Sequence, residues 1–180
     1  MDSMTPLPWS ADLVLRTMWA FLPAMMANQM PLLTRDIPFL DVPVDAGMTW
    51  RDGKRLLGDH KTLRGLFLGV LGGAVTALAQ ASVPVPHRYV VVQGVHPLLV
   101  GATLGAGALI GDLIESFVKR RKGVPPGEDW FPFDQLDAAF GALVAIWLLA
   151  PIPTEVAVCF LVLAIPLHVG TNLAASRLGW

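Results

Sequence analysis

Two pairs of carboxylates bracket a run of cations in this chain. Asp112 and Glu115 end an apolar, glycine-rich run. Ser116 follows, then Lys119, Arg120, Arg121 and Lys122, and beyond a Pro/Gly turn Asp134 and Asp137 open the next apolar run. At about 100° per residue, Asp112, Glu115, Ser116 and Lys119 share one helical stripe roughly 10 Å long, and Asp134 and Asp137 share a face. Carboxylates from two helix ends suit a hard cation. Mg2+ takes one or two of them and completes its coordination with water and substrate phosphates. Nearby lysines and arginines neutralise phosphate charge that the metal leaves. The plainer alternative is an interfacial helix end with an i,i+4 Glu115–Lys119 pair and a basic anchor on lipid headgroups. Four carboxylates beside four cations favour the polyphosphate–metal reading. A transition-metal site is disfavoured, because His60, His87, His96 and His168 are scattered with no helical pair.

A second charged stretch supports the same chemistry. Residues 36–62 are broken by Pro38, Pro43 and Gly47, and their second half carries Arg51, Asp52, Lys54, Arg55, Asp59, His60 and Lys61. The segment Gly58-Asp59-His60-Lys61-Thr62 precedes an apolar run that begins near Arg64. Free backbone N–H groups at that helix start, beside Lys61 and Arg64, are expected to form an anion site. No G-x-x-x-x-G-K-[ST] loop and no G-x-S-x-G motif is present, so neither a P-loop nor a serine hydrolase is indicated.

The elements that must hold these residues are membrane helices. Of the 180 residues, 54% are hydrophobic and only 15% charged, against about 25% charged in soluble domains, and the mean hydropathy is +0.57. Five segments approach the ~20 apolar residues of a span: about 10–34, capped by Ser10, 63–82, 96–119, 134–150, and 154–176, capped by Thr154. The fourth is the shortest. The expected fold is all-α, a single polytopic domain over 1–180, with loops at about 36–62 and 120–133. Six of the 13 Lys and Arg residues lie in Arg35–Arg64, four in Lys119–Lys122, and Arg177 ends the chain, leaving Arg16 and Arg88 for the other side. The positive-inside rule then gives five spans, N-terminus outside, C-terminus cytoplasmic, and both charged loops on the cytoplasmic face. Gly101/Gly105, Gly107/Gly111 and Gly65/Gly69/Gly73 repeat at the spacing of close helix packing. Asn28, Gln29, His168 and Asn172 are polar groups at or near membrane depth, most simply interhelical hydrogen bonders. Trp9, Trp50, Trp130 and Trp180 fall near expected helix ends, as an interfacial belt would. No cleavable signal peptide is expected. The lone Cys159 excludes an intramolecular disulfide and a multi-cysteine metal site.

These residues also carry a family resemblance. Ser116-Phe117-Val118-Lys119-Arg120 is similar to the S-x-hydrophobic-K-R core of the membrane CDP-diacylglycerol synthase signature, and Asp134-Gln135-Leu136-Asp137 to its closing D-R-hydrophobic-D, with Gln135 in place of arginine. The intervening K-D and H-G-G elements are replaced by Pro125-Pro126-Gly127 and Phe131-Pro132-Phe133. With RDGKRLLGDHKTLRG upstream, the whole resembles the archaeal branch of that superfamily, the CDP-archaeol synthases.

The resemblance implies Mg2+-dependent transfer of a cytidylyl group from CTP to a phosphorylated isoprenoid glyceryl ether lipid, giving CDP-archaeol and pyrophosphate at a multi-pass site on the cytoplasmic side of the cell membrane. It implies Mg2+ on Asp112, Asp134 and Asp137 with Glu115 at or beside the ion. Lys61, Arg64, Lys119 and Arg120 would meet the phosphates, with Asp59 and His60 next to them. No nucleic-acid partner is expected, and Arg121, Lys122, Glu128 and Asp129 receive no role.

Two other classes compete. A CDP-alcohol phosphotransferase also uses membrane aspartates, but its D-G-x-x-A-R…G-x-x-x-D-x-x-x-D pattern is not met: Asp52-Gly53 is followed by Lys54-Arg55. An ion transporter coupling through Asp112 and Glu115 would leave the basic loop and the one-sided clustering of carboxylates unexplained.

Overall fold

The computed structural model describes residues 10–85, 92–125 and 128–177. His87, Arg88, Pro126, Gly127, Trp9 and Trp180, named above, lie outside the described residues. Five helices form: α1 (Ala11–Leu33), α2 (Leu63–Ala81), α3 (Pro97–Lys122), α4 (Phe133–Trp147) and α5 (Thr154–Arg177). Their ends follow local chemistry. Ser10 caps α1 by accepting from Leu13 N–H at 3.1 Å, and Thr62 caps α2 by accepting from Gly65 N–H at 3.2 Å. His96 caps α3 through Nδ1, with Pro97 at the first helical position. Gly123, at φ 75°, closes α3 in the left-handed conformation that favours glycine. Some ends differ from expectation. Thr154 is already the first residue of α5, and the Pro153 carbonyl accepts from Val156 and Ala157. The helix α3 runs to Lys122, so part of the expected basic loop is its last turn, where cations complement the helix dipole.

Small residues line the helix contacts, around a few large ones such as Phe21, Leu104 and Ile146, and many large ones face outward. The buried set includes Ala24, Ala27, Ala74, Ala77, Ala108, Ala139 and Ala142, whereas Phe67, Leu71, Val75, Ile110, Ile114, Phe140 and Val162 are exposed. Without a hydrophobic drive between helices in lipid, close backbone approach supplies the packing, and small residues permit it. The helix α3 uses two glycine faces. A Cβ at Gly73 or Gly101 would collide with the other's backbone, which seats α3 on α2; one at Gly107, Gly111 or Gly141 would collide across the α3–α4 contact. Thus α3 packs on α1, α2 and α4, and α5 closes against α1 and α4. Phe21 and Phe160 stack at 3.9 Å between α1 and α5, and Arg16 pairs with Glu155 at 3.2 Å at the starts of the same two helices.

Among the described helices, three are long and apolar enough to cross a membrane: Leu63–Ala81, Pro97–Lys122 and Thr154–Leu173. The first helix has 23 residues, but Arg16, Thr17, Asn28 and Gln29 dilute its apolar run. The fourth ends at Trp147 rather than near 150, and its 15 residues reach only about 22 Å of a hydrocarbon core about 30 Å thick.

Candidate active site

The loop between α1 and α2 is an ordered platform, held by a residue the sequence reading did not single out. The Asp45 side chain is fully buried. It accepts from the N–H groups of Gly47 (3.0 Å) and Leu57 (2.9 Å) and from Arg55 Nη2 (2.8 Å). Burial pushes its pKa up, but the Arg55 guanidinium and the two amides outweigh that and hold it below the ordinary carboxylate value. Arg55 spans from Asp45 to Asp59, at 2.6 Å. The signal was present as Asp45-Ala46-Gly47, an Asx-turn pattern, but nothing local announced burial.

This platform also revises the expected helix-end anion site. The first amides of α2 are taken by the chain itself: Leu63 N–H donates to Val42 O and Arg64 N–H to Leu40 O, while Gly65 N–H goes to Thr62. Anion binding here must come from side chains. Arg64, 6% exposed at its side chain, donates to Ile37 O at 2.6 Å and pairs with Asp41 at 3.0 Å. It anchors the loop while keeping its charge beside Lys61.

Arg121, given no role by the motif, clips the platform to α3. It pairs with Asp52 at 3.0 Å, donates to the Arg55 carbonyl and lies over the Phe117 ring at 4.9 Å. Trp50 meets the same ring edge-on at 5.6 Å. Lys122, Glu128 and Asp129 are exposed.

With the platform in place, Lys61 reaches across to α3 and binds both oxygens of Asp112, each at 2.6 Å. A cleft of about 610 Å³ opens there, lined among others by Asp59, His60, Lys61, Arg64 and Asp112. A second node lies one to two turns along α3. Lys119 Nζ is 2.7 Å from Asp134 Oδ2 and 3.9 Å from Glu115 Oε1, so the expected i,i+4 pair exists but the tighter contact goes to α4. Asp134 Oδ2 also accepts from Trp130 N–H at 2.7 Å, fixing the start of α4. Asp137 lies between the nodes, close enough to feel both Asp112 and Asp134, on backbone that touches Gly111. Ser116 is buried. Arg120 keeps its Nε buried without a hydrogen-bond partner.

The structure therefore brings Asp59, His60, Lys61, Arg64 and Asp112 to one cleft, and gathers Glu115, Lys119 and Asp134 beside it. Among the described residues no group of three or more His, Cys, Asp or Glu closes as a ready-made metal cage. The donor chemistry nevertheless fits Mg2+. Glu115 Oε1 and Asp134 Oδ1 are both buried without a hydrogen-bond partner, and Mg2+ needs only one or two carboxylates when substrate phosphates complete its coordination.

With this geometry in place, similarity to known proteins is informative. The CarS-like family, described as CDP-archaeol synthase, matches residues 10–180. The chain is 38% identical to the CDP-archaeol synthase of Methanospirillum hungatei over 88% of this chain and 96% of that one. It is 35% identical to that of Pyrococcus furiosus (93% and 95%) and 41% to that of Thermofilum pendens (92% and 78%). A solved structure of an intramembrane enzyme for archaeal membrane lipid biosynthesis is similar at TM-score 0.68 and 34% identity, covering 89% of this chain and 94% of that one.

Proposed function

We infer how the site works from the premise that this chain belongs to the CarS-like family, the CDP-archaeol synthases. The protein is a membrane enzyme of archaeal phospholipid biosynthesis, a nucleotidyltransferase that moves a cytidylyl group from CTP and yields CDP-archaeol. The phosphotransferase and transporter readings give way to this.

The finer reading is as follows. The acceptor is an isoprenoid glyceryl ether phosphate. Its phosphate oxygen attacks the α-phosphorus of CTP, the α–β bridging P–O bond breaks, and pyrophosphate leaves. A lipid phosphate is already ionised near neutral pH, so no strong protein base is required. The protein's task is to bring two anions together and stabilise charge as it develops. Asp112, Asp134, Asp137 and Glu115 would hold Mg2+, which when bound polarises the phosphates and neutralises part of their charge. Lys61 and Lys119, each resting on a carboxylate, are placed to exchange it for a phosphate oxygen when the nucleotide arrives. Arg64, Arg120, His60 and Asp59 complete the nucleotide's surroundings. The chain acts as one catalytic unit with five membrane helices, N-terminus outside and the site at the cytoplasmic face, the short α4 spanning with its polar start in the site.

The observation that carries this reading is the Lys61–Asp112 pair in the cleft, with a second lysine–carboxylate node, Lys119–Asp134–Glu115, further along the same helix. Pyrophosphate release from CTP in the presence of Mg2+ and a lipid phosphate tests it. Asp137→Asn should abolish release in a protein that stays folded in detergent. Most activity retained would remove Asp137 from the site.

A further inference from the structure

A second cavity, about 260 Å³, lies between α1, α4 and α5 on the other side of Asp137. One end is polar, with Asn28, Gln29, Gln135, Asp137, His168 and Thr171; the rest is apolar, with Leu22, Met25, Phe160 and Leu167. Gln135 is 7% exposed, and its amide oxygen is buried with no hydrogen-bond partner. A buried amide oxygen without a donor is costly in any packed interior, so a role in plain helix packing leaves it unexplained. The polar end belongs to the site side of the molecule: α4 starts there at Phe133, and α1 and α5 reach it with their C-terminal turns.

We propose that this cavity receives the glyceryl-phosphate end of the lipid acceptor, and that Gln135 and His168 are acceptor-binding residues. This rests on the cytidylyl-transfer reading above and assigns the second substrate its place. The cavity is too small for two isoprenoid chains, so it takes the glycerol and the first part of a chain, and the remainder lies along the exposed apolar helix faces. Its amphipathic lining matches such a molecule end to end. Gln135 Oε1 accepts from the P–O–H of the singly ionised acceptor phosphate, and His168 offers a ring N–H to the charged phosphate oxygens. Asp137 lines this cavity and neighbours Asp112, which lines the nucleotide cleft. The acceptor phosphate is thereby delivered to Asp137, beside the Asp112 that lines the nucleotide cleft.

The test separates the substrates. Steady-state KM for the lipid phosphate and for CTP is measured in full-length enzyme in mixed micelles, with CTP binding followed by calorimetry. Gln135→Leu and His168→Leu should each raise the acceptor KM about tenfold and leave CTP affinity unchanged. Leu22→Trp, which fills the apolar end without touching a polar group, should do the same. An unchanged acceptor KM in all three, or a shift in CTP affinity instead, overturns the acceptor site. Failure of the unaltered enzyme to bind CTP overturns the underlying reading, and the two failures are therefore distinct.

Discussion

Lys61 and Lys119 each hold a carboxylate that a bound metal would also want. Both pairs are partly buried, and removing one partner leaves the other charge uncompensated. Lys119→Ala should therefore raise the CTP KM about tenfold, a loss of about 1.4 kcal/mol, and leave partitioning into lipid unchanged. An unaltered KM and turnover number for CTP would count against a phosphate role. Sequence spacing made the Glu115–Lys119 pair legible, and it forms at 3.9 Å. Lys61–Asp112 was not legible as a contact, because the partners come from separate elements joined only by the fold. Asp45 was missed for a related reason: its burial is conferred by Arg55, Leu57 and Gly47 together. Its depressed pKa gives a signed pH dependence. The stabilisation is fully present above the unfolded value near 3.8 and is lost as pH falls through the lower folded value. The hydrogen-exchange protection factors of the Gly47 and Leu57 amides should stay high at pH 5 and fall once the pH drops below about 4. In Asp45→Asn they should be low already at neutral pH, and equal protection in both proteins would contradict the hub.

Helix α3 carries the architecture because its two glycine pairs face different partners. The sequence displayed both G-x-x-x-G patterns, and the expected cap at Ser10 formed, whereas Thr154 begins α5 instead of capping it. Which face met which helix was hidden, since a glycine pair names close approach but no partner. Gly111 abuts the Asp137 carbonyl, so this contact sets the distance between the carboxylates of α3 and those of α4. Gly111→Ala should cost roughly 1–3 kcal/mol by overpacking and depress turnover more than it lowers thermal stability, as read by paired activity and melting curves. Turnover falling only in step with the unfolded fraction would mean that the contact merely packs. Arg121→Ala should free the loop platform and raise the CTP KM severalfold with little change in turnover. A lost turnover with unchanged KM would contradict a positioning role.

At the scale of the molecule, the charged loops and the α3–α4 end gather on one side, while Arg16 and Glu155 pair at the other. Hydropathy made the helices legible, and charge made legible that the two loops belong on one side of the bundle. The length of α4 was not, because the turn at Leu148–Pro153 is as apolar as the helix it ends. Replacing the buried Cys159 with alanine gives a background for topology. Single cysteines at Arg51 and at Pro153 should label from opposite faces, Arg51 from the cytoplasmic side; labelling of both from the same face would break the five-span arrangement.

The central claim is that the lysine–carboxylate end of α3 and α4 handles the triphosphate of CTP. Pyrophosphate release by purified enzyme with CTP, Mg2+ and a glyceryl ether lipid phosphate tests this most directly, comparing the unaltered protein with Asp112→Asn. The account predicts a fall of at least about 100-fold, the scale of losing a charge-stabilising group from a transition state, with the melting temperature little changed. An Asp112→Asn enzyme that keeps most of its activity would contradict it.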